Sequence, residues 1–259
     1  MGKIISIVNQ KGGVGKTTTA VNLAASLGVL GYTVLLIDID PQGNATSGLG
    51  VNKRTVRQSS YDLLIGEMRF DDTIMRTGFR NVSIIPSHVD LAGAEVELVP
   101  LDRREYRLRE AIVAHKQKFD YILVDCPPSL GLLTLNGLTA CDSILVPIQC
   151  EYYALEGLSQ LMISVRQVKR LYNQRLELEG VLITMYDSRL NLTVQVAQEV
   201  KRHFPKKVFA TAIPRNVRLS EAPSYGRPVR YYDQTSRGSS AYDDLAKEIV
   251  EQNKRMEEE

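Results

Sequence analysis

The residues Asn9-Gln10-Lys11-Gly12-Gly13-Val14-Gly15-Lys16-Thr17-Thr18 are of the types and spacing that hold phosphate. Glycines let successive backbone N–H groups converge on an anion, a lysine at the end of the loop reaches outer phosphates, and a neighbouring hydroxyl ligates Mg²⁺. On this reading Gly12, Gly13, Val14, Gly15 and Thr18 wrap phosphate oxygens, Lys16 contacts the β- and γ-phosphates, and Thr17 sits on the metal. The apolar run Lys3–Val8 reads as a strand and Thr17–Leu30 as a helix, so the loop lies at a helix N-terminus. The common pattern G-x-x-x-x-G-K-[ST] is broken at its first glycine, where Gln10 stands, and a second lysine, Lys11, follows at once.

Hydrolysis needs carboxylates as well. Leu35-Leu-Ile-Asp38 and Ile122-Leu-Val-Asp125 each close an apolar strand with an aspartate. In a parallel sheet both tips open onto the edge that carries the phosphate loop, so Asp38 and Asp125 are expected to converge near the metal. Asp40, followed by Pro-Gln-Gly, is expected in a mobile loop where it could orient an attacking water. The plainer reading of Asp40 is a solvated Asp-Pro turn.

These groups must be held by a scaffold. Candidate strands are Ile4–Val8, Thr33–Ile37, Val82–Ile85, Tyr121–Val124, Ser143–Pro147, Gly180–Thr184 and Val208–Ile213. Helical patterns cover Thr17–Leu30, Glu105–His115, Glu156–Tyr172, Thr193–His203 and Ala241–Asn253, with Tyr61–Glu67 expected at the edge of the domain. The alternation predicts an α/β fold, one mostly parallel twisted sheet with helices on both faces, spanning Met1–Glu259 as a single domain. At 259 residues and 44% hydrophobic the chain can bury one large core. The segment around residues 50–80 is the least regular and carries no functional expectation.

Composition excludes several classes. With 32 basic and 30 acidic residues the net charge is only +2, but Lys201–Arg237 is locally basic and is expected to form a basic surface. Cys126, Cys141 and Cys150 lack C-x-x-C spacing, which argues against disulfides, zinc and a bound iron–sulfur cluster and fits a reducing cytoplasm. The apolar start is too short for a signal peptide, and no stretch approaches a membrane span. Met1-Gly-Lys-Ile-Ile-Ser6 matches the myristoylation pattern, yet the same residues are needed as the first buried strand.

K-G-G-x-G-K-T-T resembles the deviant Walker A box of the ParA/MinD group of P-loop ATPases. Asp38-Ile-Asp40-Pro-Gln-Gly-Asn-Ala-Thr46, Asp125-Cys-Pro-Pro-Ser129, Gln149-Cys-Glu-Tyr-Tyr-Ala-Leu-Glu-Gly-Leu158 and Ile213-Pro-Arg-Asn-Val-Arg-Leu-Ser-Glu-Ala-Pro223 narrow the resemblance, almost end to end, to Soj-type ParA proteins. The resemblance implies an ATPase that forms a nucleotide-sandwich homodimer, with Lys11 touching the partner's phosphates and Asp40 catalytic. Asp125 takes the Walker B place and Asp38 a supporting one. Gly12 then lies in the dimer seam, or else is needed only for a positive φ. Met185, Pro214 and Asn216 are placed in an adenine slot, and no N/T-K-x-D guanine pattern competes.

Arg189 and Arg218 occupy positions that resemble the DNA-contacting arginines of the family, and as guanidinium forks in polar loops they are expected to be free to bridge backbone phosphates. No helix-turn-helix is present, so binding to double-stranded DNA is expected to ignore sequence. A ParB protein is the implied activator, and the implied location is the cytoplasm, on the nucleoid. Two other readings compete. A MinD-like membrane cycler would need a basic amphipathic C-terminal helix, whereas this chain ends Lys254-Arg-Met-Glu-Glu-Glu259. A nucleotide-dependent scaffold without useful turnover is separated only by assay.

Overall fold

The computed structural model describes residues 2–258; Met1, which opens the myristoylation-like pattern, and Glu259 lie outside them. Seven strands form one sheet: β1 Lys3–Ile7, β2 Val34–Asp38, β3 Met75–Arg76, β4 Val82–Ile85, β5 Tyr121–Asp125, β6 Ser143–Gln149 and β7 Glu177–Thr184, in the order β3-β4-β2-β5-β1-β6-β7. Every pairing is parallel except β3 with β4. The short antiparallel β3 carries no apolar run and escapes sequence reading.

Alternate strand residues feed two cores, as the two-residue period of a strand requires. Ile4, Ile37, Ile122, Val124 and Val146 pack on one face beneath the helices Leu132–Ala140, Ala154–Leu171 and Asn191–His203. Ile5, Ile7, Leu36, Leu123 and Leu145 pack on the other beneath Lys16–Val29 and Arg237–Glu258. Helix Leu132–Ala140 is not legible in the sequence, because nearly all of it is buried and no polar face betrays a period.

Three expectations change. Val208–Ile213 is not a regular strand: it meets β7 through an isolated bridge at Val181–Val208 and through the Phe209 and Ile213 amides, which donate to Val181 O (3.0 Å) and Ile183 O (2.8 Å), and just beyond both segments Tyr186 bridges Pro214. The ring of Phe209 fills the space above Gly180, and the Ala210 and Thr211 amides donate to the Glu248 carboxylate instead of to β7 (2.6 and 3.0 Å). Glu105–His115 is helical only over Arg107–Ile112, with 3₁₀ turns on either side. The helix expected at the domain edge, observed over Ser60–Ile65, instead braces β2. Ser59 and Asp62 form a capping box at its start, and the Ser60 hydroxyl donates to the Asp38 carbonyl at 2.6 Å.

Candidate active site

β1 stops at Ile7 and hands the chain to a loop stapled from beneath. The Asn9 amide donates to Pro147 O (2.7 Å) while its oxygen accepts from the Lys11 amide (2.9 Å). The Thr184 hydroxyl lies 2.8 Å from Val14 O and 2.9 Å from Ile148 O, tying the loop to β6 and β7. Gly13 and Gly15 take φ of 75° and 91°, a region that disfavours any side chain, and so turn the chain sharply into helix Lys16–Val29. That helix begins with no side-chain cap and no acidic residue in its first turn. Its first N–H groups therefore face the loop's concavity without a built-in acceptor, which suits an anion. Gly12 does not have a positive φ, and a Cβ placed on it meets nothing within 4 Å.

Two lysines bracket this concavity. Lys16 is buried and folds back so that its ammonium donates to Lys11 O at 3.1 Å. Burial holds its pKa below the usual lysine value, against the pull of Asp125. Lys11 points outward, about half exposed, and pairs with Glu151 from the loop after β6. Sequence reasoning missed Glu151 as a functional residue; its only signal is a carboxylate just beyond a strand tip.

The carboxylates converge as expected. Asp38 and Asp125 are directly opposite each other at the ends of β2 and β5, and Asp125 also faces Ile7 of β1. Asp38 is fully buried but satisfied: it accepts from Thr46 N (2.8 Å), Thr46 Oγ1 (2.7 Å) and Asp40 N (3.2 Å). Burial still pushes its pKa up to about 6. Asp125 is fully buried with neither oxygen hydrogen-bonded. Burial, then the charge of Asp38, raises it well above the carboxylate range, with the nearby Thr17 hydroxyl and Lys16 pulling the other way. An orphaned acid beside Thr17 fits a cation that brings its own oxygen ligands. Among the described residues no cluster of three acidic, histidine or cysteine side chains would cage a metal unaided.

Asp40 is not a solvated turn residue. It is only 6% exposed, its carbonyl accepts from the Ser87 hydroxyl (2.6 Å) and the Gly43 amide (2.9 Å), and its carboxylate accepts from Gln42 N (2.9 Å). A hydroxyl that arrives from beyond β4 fixes it, and no local pattern around Asp40 announces that contact.

Met185, Pro214 and Asn216 are brought together with Gly15, Thr18 and Tyr242 around a cavity of about 250 Å³. Met185 adopts a left-handed φ of 50°, backbone strain at the mouth of the slot. A separate cavity of about 440 Å³ lies across Thr17 and Thr18, between the helix Asn44–Gly48 and Arg227.

The two arginines are not free. Arg189 is held bidentately by Asp187 (2.8 and 2.6 Å), although its side chain is 86% exposed. Arg218 pairs with Glu221 (2.8 Å) and Asp233 (3.2 Å). Both loops follow the same sheet edge, since Tyr186 bridges Pro214 and the Arg215 amide donates to Tyr186 O. The basic tract extends along the sheet edge. Lys207 lies against Leu178 and Val181, and Arg215 against Tyr186, roughly 15 Å or more along the strand direction.

The remaining features are spoken for by the core. Cys126, Cys141 and Cys150 are buried free thiols, and burial pushes the last two up to about 12 and about 11. The apolar side of helix Arg237–Glu258, with Tyr242, Leu245, Ala246 and Ile249, is packed into the core. Among the described residues no helix is long and apolar enough to cross a membrane.

Comparisons with known proteins agree with this geometry. A family profile described as an AAA domain matches residues 2–178. The sporulation initiation inhibitor protein Soj of Bacillus subtilis is 60% identical over 250 residues, 96% of this chain and 99% of that protein. The chromosome partitioning protein ParA of Myxococcus xanthus is 51% identical over 98% of this chain and 89% of its own. Among solved structures, cobyrinic acid a,c-diamide synthase from Mycobacterium smegmatis with a bound ATP analogue and magnesium matches with a TM-score of 0.86 at 36% identity, covering 98% of this chain and 96% of that one. A glycine loop with two lysines, two aspartates meeting at adjacent strand tips, and near full-length identity above one half place this chain in the Soj/ParA family of chromosome-partitioning ATPases.

Proposed function

We infer that this chain is an ATP-dependent, dimerising ATPase that binds duplex DNA without sequence preference and works in a partition system with a ParB-type activator. The observation that carries the reading is the pairing of an anion-ready loop with an orphaned, fully buried Asp125 beside Thr17. This buried acid, only partly offset by Lys16, stands where a nucleotide-bound cation would relieve it. The family name supports partition over the synthase chemistry of the solved structure, since identity falls from 60% and 51% to 36% between them.

ATP enters with its base in the slot at Met185, Pro214 and Asn216 and its phosphates on the amides of Gly13 to Thr18. Lys16 leaves Lys11 O for the β- and γ-oxygens. Thr17 and Asp125 would hold Mg²⁺, with Asp38 supporting; the ion would supply positive charge that offsets the negative charge on the phosphate oxygens. Asp40, pinned by Ser87 and Gln42, orients the attacking water. Lys11 gives up Glu151 and reaches across to the second chain's phosphates, and the open space over Gly12 accommodates that chain's backbone. Joining two chains brings two sets of Arg189 and Arg218 to one face, where each arginine exchanges a carboxylate for a DNA phosphate. ParB, the nucleoid location and the choice of adenine rest on family resemblance.

Asp40→Ala tests the reading. It should bind ATP with nearly unchanged affinity and lose turnover by about 100-fold or more, because water positioning is lost while the phosphate cradle remains. Turnover at the parent rate would remove Asp40 from the mechanism.

A further inference from the structure

We propose that the groove between helices Leu132–Ala140 and Ala154–Leu171 is a docking site for an acidic amphipathic helix of another protein. The groove encloses about 240 Å³, with Leu135, Leu138 and Val168 beneath and Leu130, Leu171 and Tyr172 at its margins. Leu130 is 38% and Leu171 51% exposed, so the two margins offer apolar surface to a partner. A second depression of about 460 Å³ shares Leu171 and Tyr172 and adds Arg109 and Arg175. Leucines and arginines thus line two adjoining depressions, which together make a trough meeting at Leu171 and Tyr172.

Charge selects the occupant. At the arginine end the acids are matched already, Glu105 with Arg104, Glu110 with Arg103 and Glu177 with Lys169, while Glu95 lies beside Gly131 at the far, leucine end. Arg109, Arg175 and the adjacent Arg170 make no ion pair with any described residue. A helix that lays leucine-sized side chains at i, i+3, i+4 and i+7 into the groove and offers Glu or Asp along its flanks satisfies both halves of the trough. Duplex DNA satisfies only the arginines and leaves the leucines facing water or phosphate.

Location makes the surface independent of the nucleotide cycle. Helix Ala154–Leu171 starts beyond the tip of β6 and runs back about 27 Å for its 18 residues, so Leu171 lies at the opposite end of the sheet from Lys11 and Asp125. Asn173 fixes that end by donating to Leu138 O (2.9 Å) and Cys141 O (2.8 Å). A partner bound there leaves the active edge open, as a tether or cargo adaptor would.

The test uses the full chain and fluorescein-labelled helical peptides of about 18 residues. One carries a leucine stripe with glutamate elsewhere; the second has lysine for glutamate; the third is the first in scrambled order. The acidic amphipathic peptide should bind saturably, one per chain, and the other two at least about tenfold more weakly. Leu171→Glu and Arg175→Glu should each weaken it about tenfold or more without changing ATP turnover or far-ultraviolet circular dichroism. If Leu171→Glu does not fold, Arg109→Ala, at the rim, should still weaken the peptide and flatten its salt dependence. The proposal fails if no peptide saturates, if the lysine version binds equally, if folded variants bind like the parent, or if random duplex DNA competes the peptide off.

Discussion

Asp125→Asn should stabilise the nucleotide-free protein while disabling it. Asp125 makes no hydrogen bond that the amide would lose, and it sits directly across from Asp38 on the neighbouring strand. Neighbouring strands are about 4.8 Å apart, and two unit charges about 5 Å apart at an effective dielectric of about 20 repel by about 3 kcal/mol. Lys16 offsets part of this, so a net gain of about 1–2 kcal/mol is expected, or roughly 2–8 °C in Tm for a chain of this size. The pH dependence has a fixed sign. A carboxyl group whose folded pKa is raised destabilises the fold once ionised, so the penalty is absent below the unfolded value of 3.8 and grows as pH rises through the folded value. The parent should therefore melt lower as pH climbs from about 4, with Asp38 adding its share up to about pH 6. The advantage of Asp125→Asn should widen over the same range and vanish near pH 4. Thermal melts in EDTA from about pH 4.5 to about pH 8.5 measure it. Adding Mg-ATP should reverse the order, stabilising the parent and barely affecting the variant. A variant that melts below the parent at pH 8 in EDTA, or an advantage indifferent to pH, would refute the account of Asp125.

Two other substitutions address the seam and the DNA face. Gly12→Val should bind ATP normally, because the site has no positive φ and a Cβ there meets nothing within 4 Å, yet sediment as a monomer with ATP; loss of ATP binding would return Gly12 to a local backbone role. Arg189→Ala and Arg218→Ala should each weaken duplex binding and lower the log–log salt slope by about 1 for each phosphate no longer neutralised, leaving ATP-dependent dimerisation intact; an unchanged slope would mean that Asp187, Glu221 and Asp233 keep these arginines occupied in the complex.

The sequence carried most of the site because its parts are local. An apolar run closed by an acid is visible in Leu35–Asp38 and Ile122–Asp125, and the parallel sheet then puts the two acids side by side. The glycine loop states its own geometry, and Met185, Pro214 and Asn216 follow consecutive chain segments that end on one edge. What stayed hidden depends on distant partners. Ser87 pins Asp40 from 47 residues away, and Asp233 reaches Arg218 from beyond the helix Val229–Tyr232. Val208–Ile213 has a strand's residues but spends two of its amides on Glu248. Helix Leu132–Ala140, buried nearly all round, has no period to read.

Nucleotide state is expected to switch affinity for DNA. The most direct measurement is binding of a random-sequence duplex to the parent chain with ATP and Mg²⁺, with ADP and Mg²⁺, and with no nucleotide, at fixed moderate salt. Tight binding with ATP alone, equal for unrelated duplex sequences and lost steeply as salt rises, is the predicted result. Equal binding in all three conditions, or a strong preference for one sequence, would contradict it.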